Sequence, residues 1–292
     1  MKKLIVFILF AFLPMVAVGV FLHFNNSGAE AAGSTPAAAL TGLAFTAGSM
    51  LIPLLAVVFT RLIFKEPVFE GLGISFKFNR WWWIGWLLMP VVAFVVLGVT
   101  LLMPDAQWTP DSEMMQTAMA NMPEGIGAWG FIGITLLSGL FAGATLNALF
   151  AFGEELAWRG FLMKEFSGRK FLLVALWIGL IWGFWHAPLI LNGHNYPEHP
   201  VAGVFMMVGM CLLLTPILMY FRQKSGSVIV PAIMHGTFNA TVGVSLMVVT
   251  PANDLLYGGP GLAGFITLLL VNVALFCIDR YVLKENIYTS LI

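Results

Sequence analysis

The chain reads as an all-α polytopic membrane protein, a bundle of about eight transmembrane helices around a polar intramembrane cavity. Three observations predict this. Of its 292 residues, 60% are hydrophobic and 10% charged, against roughly a quarter charged in soluble domains. Apolar runs of about 20 residues, long enough to cross about 30 Å of hydrocarbon, recur eight times. Ionisable groups sit inside several of these runs, where each costs at least a few kcal/mol. Only two cysteines occur, Cys211 and Cys277, each within an apolar run. That excludes a disulfide framework or a cysteine-based zinc site.

The runs fall at 4–22, 39–64, 81–103, 128–152, 172–192, 201–221, 227–250 and 261–281. Pro53, Pro90, Pro188, Pro216 and Pro231 interrupt some of them, which membrane helices tolerate when neighbours satisfy the freed backbone groups. All fourteen Lys and Arg residues lie before the first run, at or beyond the end of the last, or in every second connection and the run end that leads into it: 2–3, 61–80, 159–170, 222–224 and 280–284. The connections 23–38, 104–127, 193–200 and 251–260 contain none. By the positive-inside rule both termini are expected to be cytoplasmic. The first run follows Met1-Lys2-Lys3 and precedes Ala29-Glu30-Ala31, an A-x-A pattern, but it is longer than a signal-peptide apolar region and is expected to be an uncleaved helix.

Segments 65–80 and 160–171 mix basic residues with Phe69, Phe76, Phe78, Phe161, Phe166 and Phe171, a composition for short interfacial helices or loops. Trp81, Trp82 and Trp83 suit an aromatic belt. The 104–127 connection carries Asp105, Asp111, Glu113 and Glu124 and is expected to be the longest outside loop.

The stretch AFGEELAWRG, 151–160, places two carboxylates and an arginine in apolar surroundings. On a helix Glu155 and Arg159 share a face and neutralise each other, whereas Glu154 points about 100° away with no basic partner at i+3 or i+4. A solvated cluster at a helix end is the plainer reading of these ten residues; a reaction is the other. His23, His194 and His199 lie in or beside outside connections, but His186 and His235 fall within runs, and His235 shares a helical face with Asn239. Glu154, His186, His235 and Asn239 can hold a metal or polarise a water. A carboxylate base, two imidazoles as zinc ligands or water-positioning groups, and an amide at an oxyanion are the parts amide hydrolysis needs.

These residues resemble the motifs of the CPBP family, the CAAX-protease and bacteriocin-processing (Abi) intramembrane proteases that include type II CAAX prenyl endopeptidases. Glu154, Glu155, Arg159 and Gly160 match its EExxxR(G) motif, and SVIVPAIMHGTFNA, 227–240, its HxxxN motif. His186 falls at the histidine of FxxxH, with Trp182 in place of the phenylalanine. The resemblance covers about 150–245. It implies that Glu154 activates the attacking water, that His186 and His235 hold that water directly or through zinc, with Glu154 as a further ligand, and that Asn239 assists at the oxyanion. Glu155 and Arg159 would hold the site together or meet a substrate group.

On that basis residues 1–125 are expected to form the first three helices with a cytoplasmic interfacial segment, 126–250 the catalytic core, and 251–292 the eighth helix and a short cytoplasmic tail. The expected activity is an intramembrane endopeptidase of a bacterial plasma membrane, acting on a membrane-embedded or lipid-anchored protein or peptide, with no nucleic-acid partner. A non-catalytic scaffold or immunity protein and a transporter are the alternatives. A continuous polar path would mark a transporter, and 201–221 offers almost none. HExxH, GxGD and GxSG are absent from the sequence, which excludes three other intramembrane protease chemistries. At 1.5 Å per residue from the basic side, His235 lies roughly 13 Å deep, Glu154 about 8–15 Å and His186 about 20 Å. The depths agree if 171–176 is interfacial or the fifth span tilts, with the site opening to the cytoplasmic side.

Overall fold

The computed structural model describes residues 1–30, 45, 47–120, 125–251 and 253–292. Ala31 of the A-x-A pattern, Glu124 and the first residues of the second expected span, 39–44, lie outside the described residues. Eight principal helices stand where the apolar runs were expected: α1 Lys2–Glu30, α2 Ile52–Ile63, α3 Arg80–Leu101, α4 Ala128–Glu165, α5 Phe171–Trp185, α6 Pro200–Ser225, α7 Ile229–Thr241 and α8 Leu262–Cys277. Seven helical stretches among the described residues are long and apolar enough to cross a membrane; the shorter apolar stretch Ala47–Ile63, which contains α2, occupies the second expected span. The chain is a multi-pass, all-α membrane protein.

Basic side chains gather at one end of the bundle and order its connections. Lys3 reaches Glu66 at 2.5 Å and Glu165 at 2.9 Å, joining α1 to the segments after α2 and at the end of α4. Arg61 is buried and donates to the carbonyls of Pro67 (2.5 Å) and Glu70 (2.9 Å). Segment 65–79 therefore wraps a guanidinium as irregular chain and not as a helix. Asn79 caps α3 by accepting from the Trp81 amide at 3.0 Å, and its amide group donates to the Ser225 carbonyl at 3.0 Å. Gly226 ends α6 at φ 70°, the left-handed C-terminal position that favours glycine. Ser227 then accepts from the Ile229 amide at 3.2 Å to start α7.

The opposite end carries the connections without basic residues. A two-stranded antiparallel ladder pairs β1 Gln107–Trp108 with β2 Val249–Thr250, in the register Gln107 to Thr250 and Trp108 to Val249. The Tyr196 hydroxyl donates to the Pro260 carbonyl at 2.7 Å, and Asp254 accepts from the amides of Glu198 and His199 at 2.8 and 3.2 Å.

α4 is the irregular helix. Two π-helical stretches, Gly143–Asn147 and Leu156–Leu162, flank its α-helical part Ala148–Glu155. Such widened turns insert an extra residue and recur at functional sites. The first lies where α7 crosses: a Cβ on Gly143 would stand 2.3 Å from the Thr237 Cα, and one on Gly236 2.5 Å from the Gly143 carbonyl oxygen. Contact at this distance is open only to glycine on both sides, as at small-residue crossings in membranes.

Candidate active site

Glu154 and Glu155 end the α-helical part of α4, and both are buried. The i,i+4 pairing expected of Glu155 and Arg159 is present, with Nη1 to Oε1 at 3.0 Å and both side chains fully buried. The same Glu155 oxygen lies 3.0 Å from Nδ1 of His235 on α7. Arg159 also donates from Nη2 to Thr215 Oγ1 on α6 at 3.0 Å and lies over the Trp182 ring of α5, 4.3 Å from its centroid. One buried ion pair thus joins α4, α5, α6 and α7.

Glu154 faces elsewhere. Its Oε2 accepts from the indole N–H groups of Trp182 (2.6 Å) and Trp158 (3.3 Å). Among the described residues no hydrogen bond reaches Oε1, and the side chain lines a cavity of about 350 Å³. His235 reaches that cavity because the Gly143–Gly236 crossing draws α7 onto α4. With Nδ1–H donating to the Glu155 carboxylate, its Nε2 carries the lone pair. His186 follows α5, and its Nδ1–H donates to the Trp182 carbonyl at 2.9 Å, which leaves Nε2 as its acceptor. Asn239 lies one turn beyond His235, exposed on the cavity wall. Asn147 lines the same space and donates to the Gly236 carbonyl at 3.4 Å. Met50, Phe150, Met207 and Phe238 supply apolar wall.

Residues 171–176, expected to be interfacial, are the first turns of α5 and continuous with the rest. It is Trp182, one turn before His186, that stands level with the other groups. Its ring centroid is 5.3 Å from that of His235, whereas His186 lies beyond Trp182 at 5.8 Å, about 6 Å further along the helix. The expectation that the site opens toward the basic end does not hold among the described residues. Leu156–Leu162, which run from Glu154 toward that end, are all buried, and the cavity extends the other way to His194, Asn195 and Pro260 of the charge-free connections. Burial holds the His194 imidazole below its ordinary value.

The free Nε2 atoms, each with Nδ1 anchored, have the tautomer that zinc ligands need. Their spacing does not match the ion. Tetrahedral zinc at about 2.0–2.2 Å brings its ligand atoms to about 3.5 Å of one another, and Glu154, His186 and His235 do not bring one donor atom each within 4.8 Å. Among the described residues the group that does is Glu198, His199 and Asp254, near the surface at the charge-free end.

Sequence reasoning did not find Trp158, Thr215, Asn147 or the role of Trp182. Trp158 stands four residues after Glu154, so helical spacing alone could have placed its indole beside that carboxylate. Thr215 and Asn147 are small polar residues in apolar helices, a signal shared by many side chains that bond only their own backbone.

Fold and site define a polytopic helical membrane protein with a buried glutamate–histidine constellation beside a cavity. Residues 129–241, from the start of α4 to the end of α7, match the family model for Rce1-like type II CAAX prenyl endopeptidases. The match covers under half of the chain and supports the resemblance to the CPBP, CAAX-protease family, a family of peptidases. Glu154, Glu155, Arg159, His186, His235 and Asn239 all lie in the matched segment. No curated protein matches the chain.

Proposed function

We propose that the protein is an intramembrane endopeptidase in which Glu154 activates the attacking water. The observation behind this reading is the pairing of two buried carboxylates with separate partners: Glu155 is held by Arg159 and His235, and Glu154 lines the cavity with one oxygen that accepts no hydrogen bond among the described residues. A water bound there hydrogen-bonds to Glu154 Oε1 and to Nε2 of His235, which aims an oxygen lone pair at the substrate carbonyl. Glu154 takes the water proton as the C–O bond forms. Asn239 donates from its amide to the developing oxyanion. When the C–N bond breaks, Glu154 returns its proton to the amine, leaving an acid and an amine product. His186, one turn nearer the cavity mouth, binds the substrate backbone or a second water. Glu155 acts through His235 by fixing its tautomer.

These steps use side chains alone, because the spacing of Glu154, His186 and His235 does not suit an ion. Residues 126–250 form the catalytic core between 1–125 and 251–292, in a bacterial plasma membrane with both termini cytoplasmic. The test pairs metal content, measured by mass spectrometry on detergent-purified protein, with cleavage of the host membrane fraction. Glu154→Gln is expected to lower cleavage at least about 100-fold with the thermal midpoint unchanged, and the wild type to cleave without bound metal. Near-stoichiometric zinc, lost together with activity in His186→Ala/His235→Ala, makes it a metalloprotease instead. Full activity of Glu154→Gln refutes the proposed base.

A further inference from the structure

Trp182 touches four residues of the site. Its indole N–H donates to Glu154 Oε2 at 2.6 Å, its ring face lies under the Arg159 guanidinium, its ring meets His235 at 5.3 Å and 70°, and its carbonyl accepts from His186. The ring is buried, as is that of Trp158, whose N–H reaches the same carboxylate oxygen at 3.3 Å. The position is the one where the family motif FxxxH has phenylalanine, a side chain with the same packing and no donor. Tryptophan here adds a hydrogen bond that the motif does not require.

The need for that bond follows from the charge arrangement. Arg159 is committed to Glu155, so Glu154 has no direct cation partner among the described residues. A buried carboxylate without a counter-ion persists only if hydrogen-bond donors take over the work of solvent. Two indole N–H groups on Oε2 do this, and they leave Oε1 as the oxygen that meets water.

We propose that Trp182, seconded by Trp158, is a positioning residue that holds Glu154 through its indole N–H, so that the carboxylate presents Oε1 to the cavity. The inference rests on Glu154 being the base. Trp182→Phe keeps the ring, its contact with Arg159 and most of its volume while deleting the donor.

The test uses the full-length protein in proteoliposomes, with the best-cleaved member of a fluorogenic lipopeptide library as probe. Trp182→Phe is expected to lower kcat about tenfold, the effect of losing one charge-assisted hydrogen bond, with KM within about twofold and the thermal midpoint unchanged. Trp158→Phe, at the longer distance, has a smaller effect. An independent readout needs no substrate: in ¹⁵N-tryptophan-labelled protein, the indole N–H resonance that Trp182→Phe removes is expected to shift in Glu154→Ala. Wild-type kcat in Trp182→Phe, or a Trp182 resonance indifferent to Glu154→Ala, overturns the inference. Glu154→Gln run in parallel separates the two failures: if it stays active, the underlying assignment of the base has failed, whereas an inactive Glu154→Gln beside an unaffected Trp182→Phe sinks the positioning role alone.

Discussion

Arg159 and Glu155 are fully buried, and each keeps an atom with no hydrogen bond among the described residues, Nε and Oε2. Removing either partner strands the other charge, so Arg159→Ala should lose about 3–5 kcal/mol of stability, read as a lowered thermal midpoint and folded yield in detergent. Glu155→Gln should lose activity as well, since His235 then has no carboxylate to fix its tautomer. His194 gives a pH dependence of definite sign. Burial lowers its imidazole below the ordinary 6.5, so the folded state binds fewer protons than the unfolded chain. Its contribution is fully present above about pH 6.5 and is lost as pH falls through that value toward the folded one. Going from pH 7.5 to 5.5 should therefore destabilise the wild type more than His194→Gln, by about 1 kcal/mol or less. Equal losses in the two proteins rule this out.

At the scale of elements, the crossing of α4 and α7 sets the distance between Glu155 and His235. A Cβ on Gly236 would meet the Gly143 carbonyl oxygen at 2.5 Å and the Ala148 nitrogen at 2.6 Å, both backbone atoms that cannot rotate away. Gly236→Ala is expected to push α7 outward, cost about 1–3 kcal/mol and lose most activity together with the His235 contact. Gly133→Ala on the same α4, where an added Cβ meets nothing within 4 Å, is the control that should fold and cleave normally. The existence of the helices was legible from hydropathy, as was the Glu155–Arg159 pair, because both depend on local sequence; their extent was not, since α4 continues to Glu165 where the run was expected to end at 152. The π-helical stretches of α4 were not legible. They depend on how α4 packs against its neighbours and have no signature in a 3.6-residue period.

At the scale of the whole molecule, the basic end and the cavity lie on opposite sides. Lys3, Arg61 and Lys164 meet around segment 65–70, Lys224 pairs with Glu285, and the cavity runs instead to His194, Asn195 and Pro260. If the basic end is cytoplasmic, substrate reaches Glu154 from the outer face. In a Cys211→Ala/Cys277→Ala background, Asn195→Cys should react with a membrane-impermeant maleimide on intact cells, and Lys77→Cys only after permeabilisation. The reverse pattern would invert the molecule in the membrane.

The sequence by itself determined the solvent and the ingredients. Apolar runs answer to hydrocarbon, the alternation of Lys and Arg answers to the charge asymmetry of insertion, and Glu154, His186, His235 and Asn239 stand out because polar groups at that depth need a reason. Tertiary structure alone decided how those ingredients combine. Glu155 and His235 are 80 residues apart and meet at 3.0 Å through a glycine crossing. Trp182 stands at the level where His186 was expected, and the cavity leads away from the basic end. Local spacing fixes which side chains share a helix face. Contact across helices depends on crossing positions and relative depth, which hydropathy does not encode.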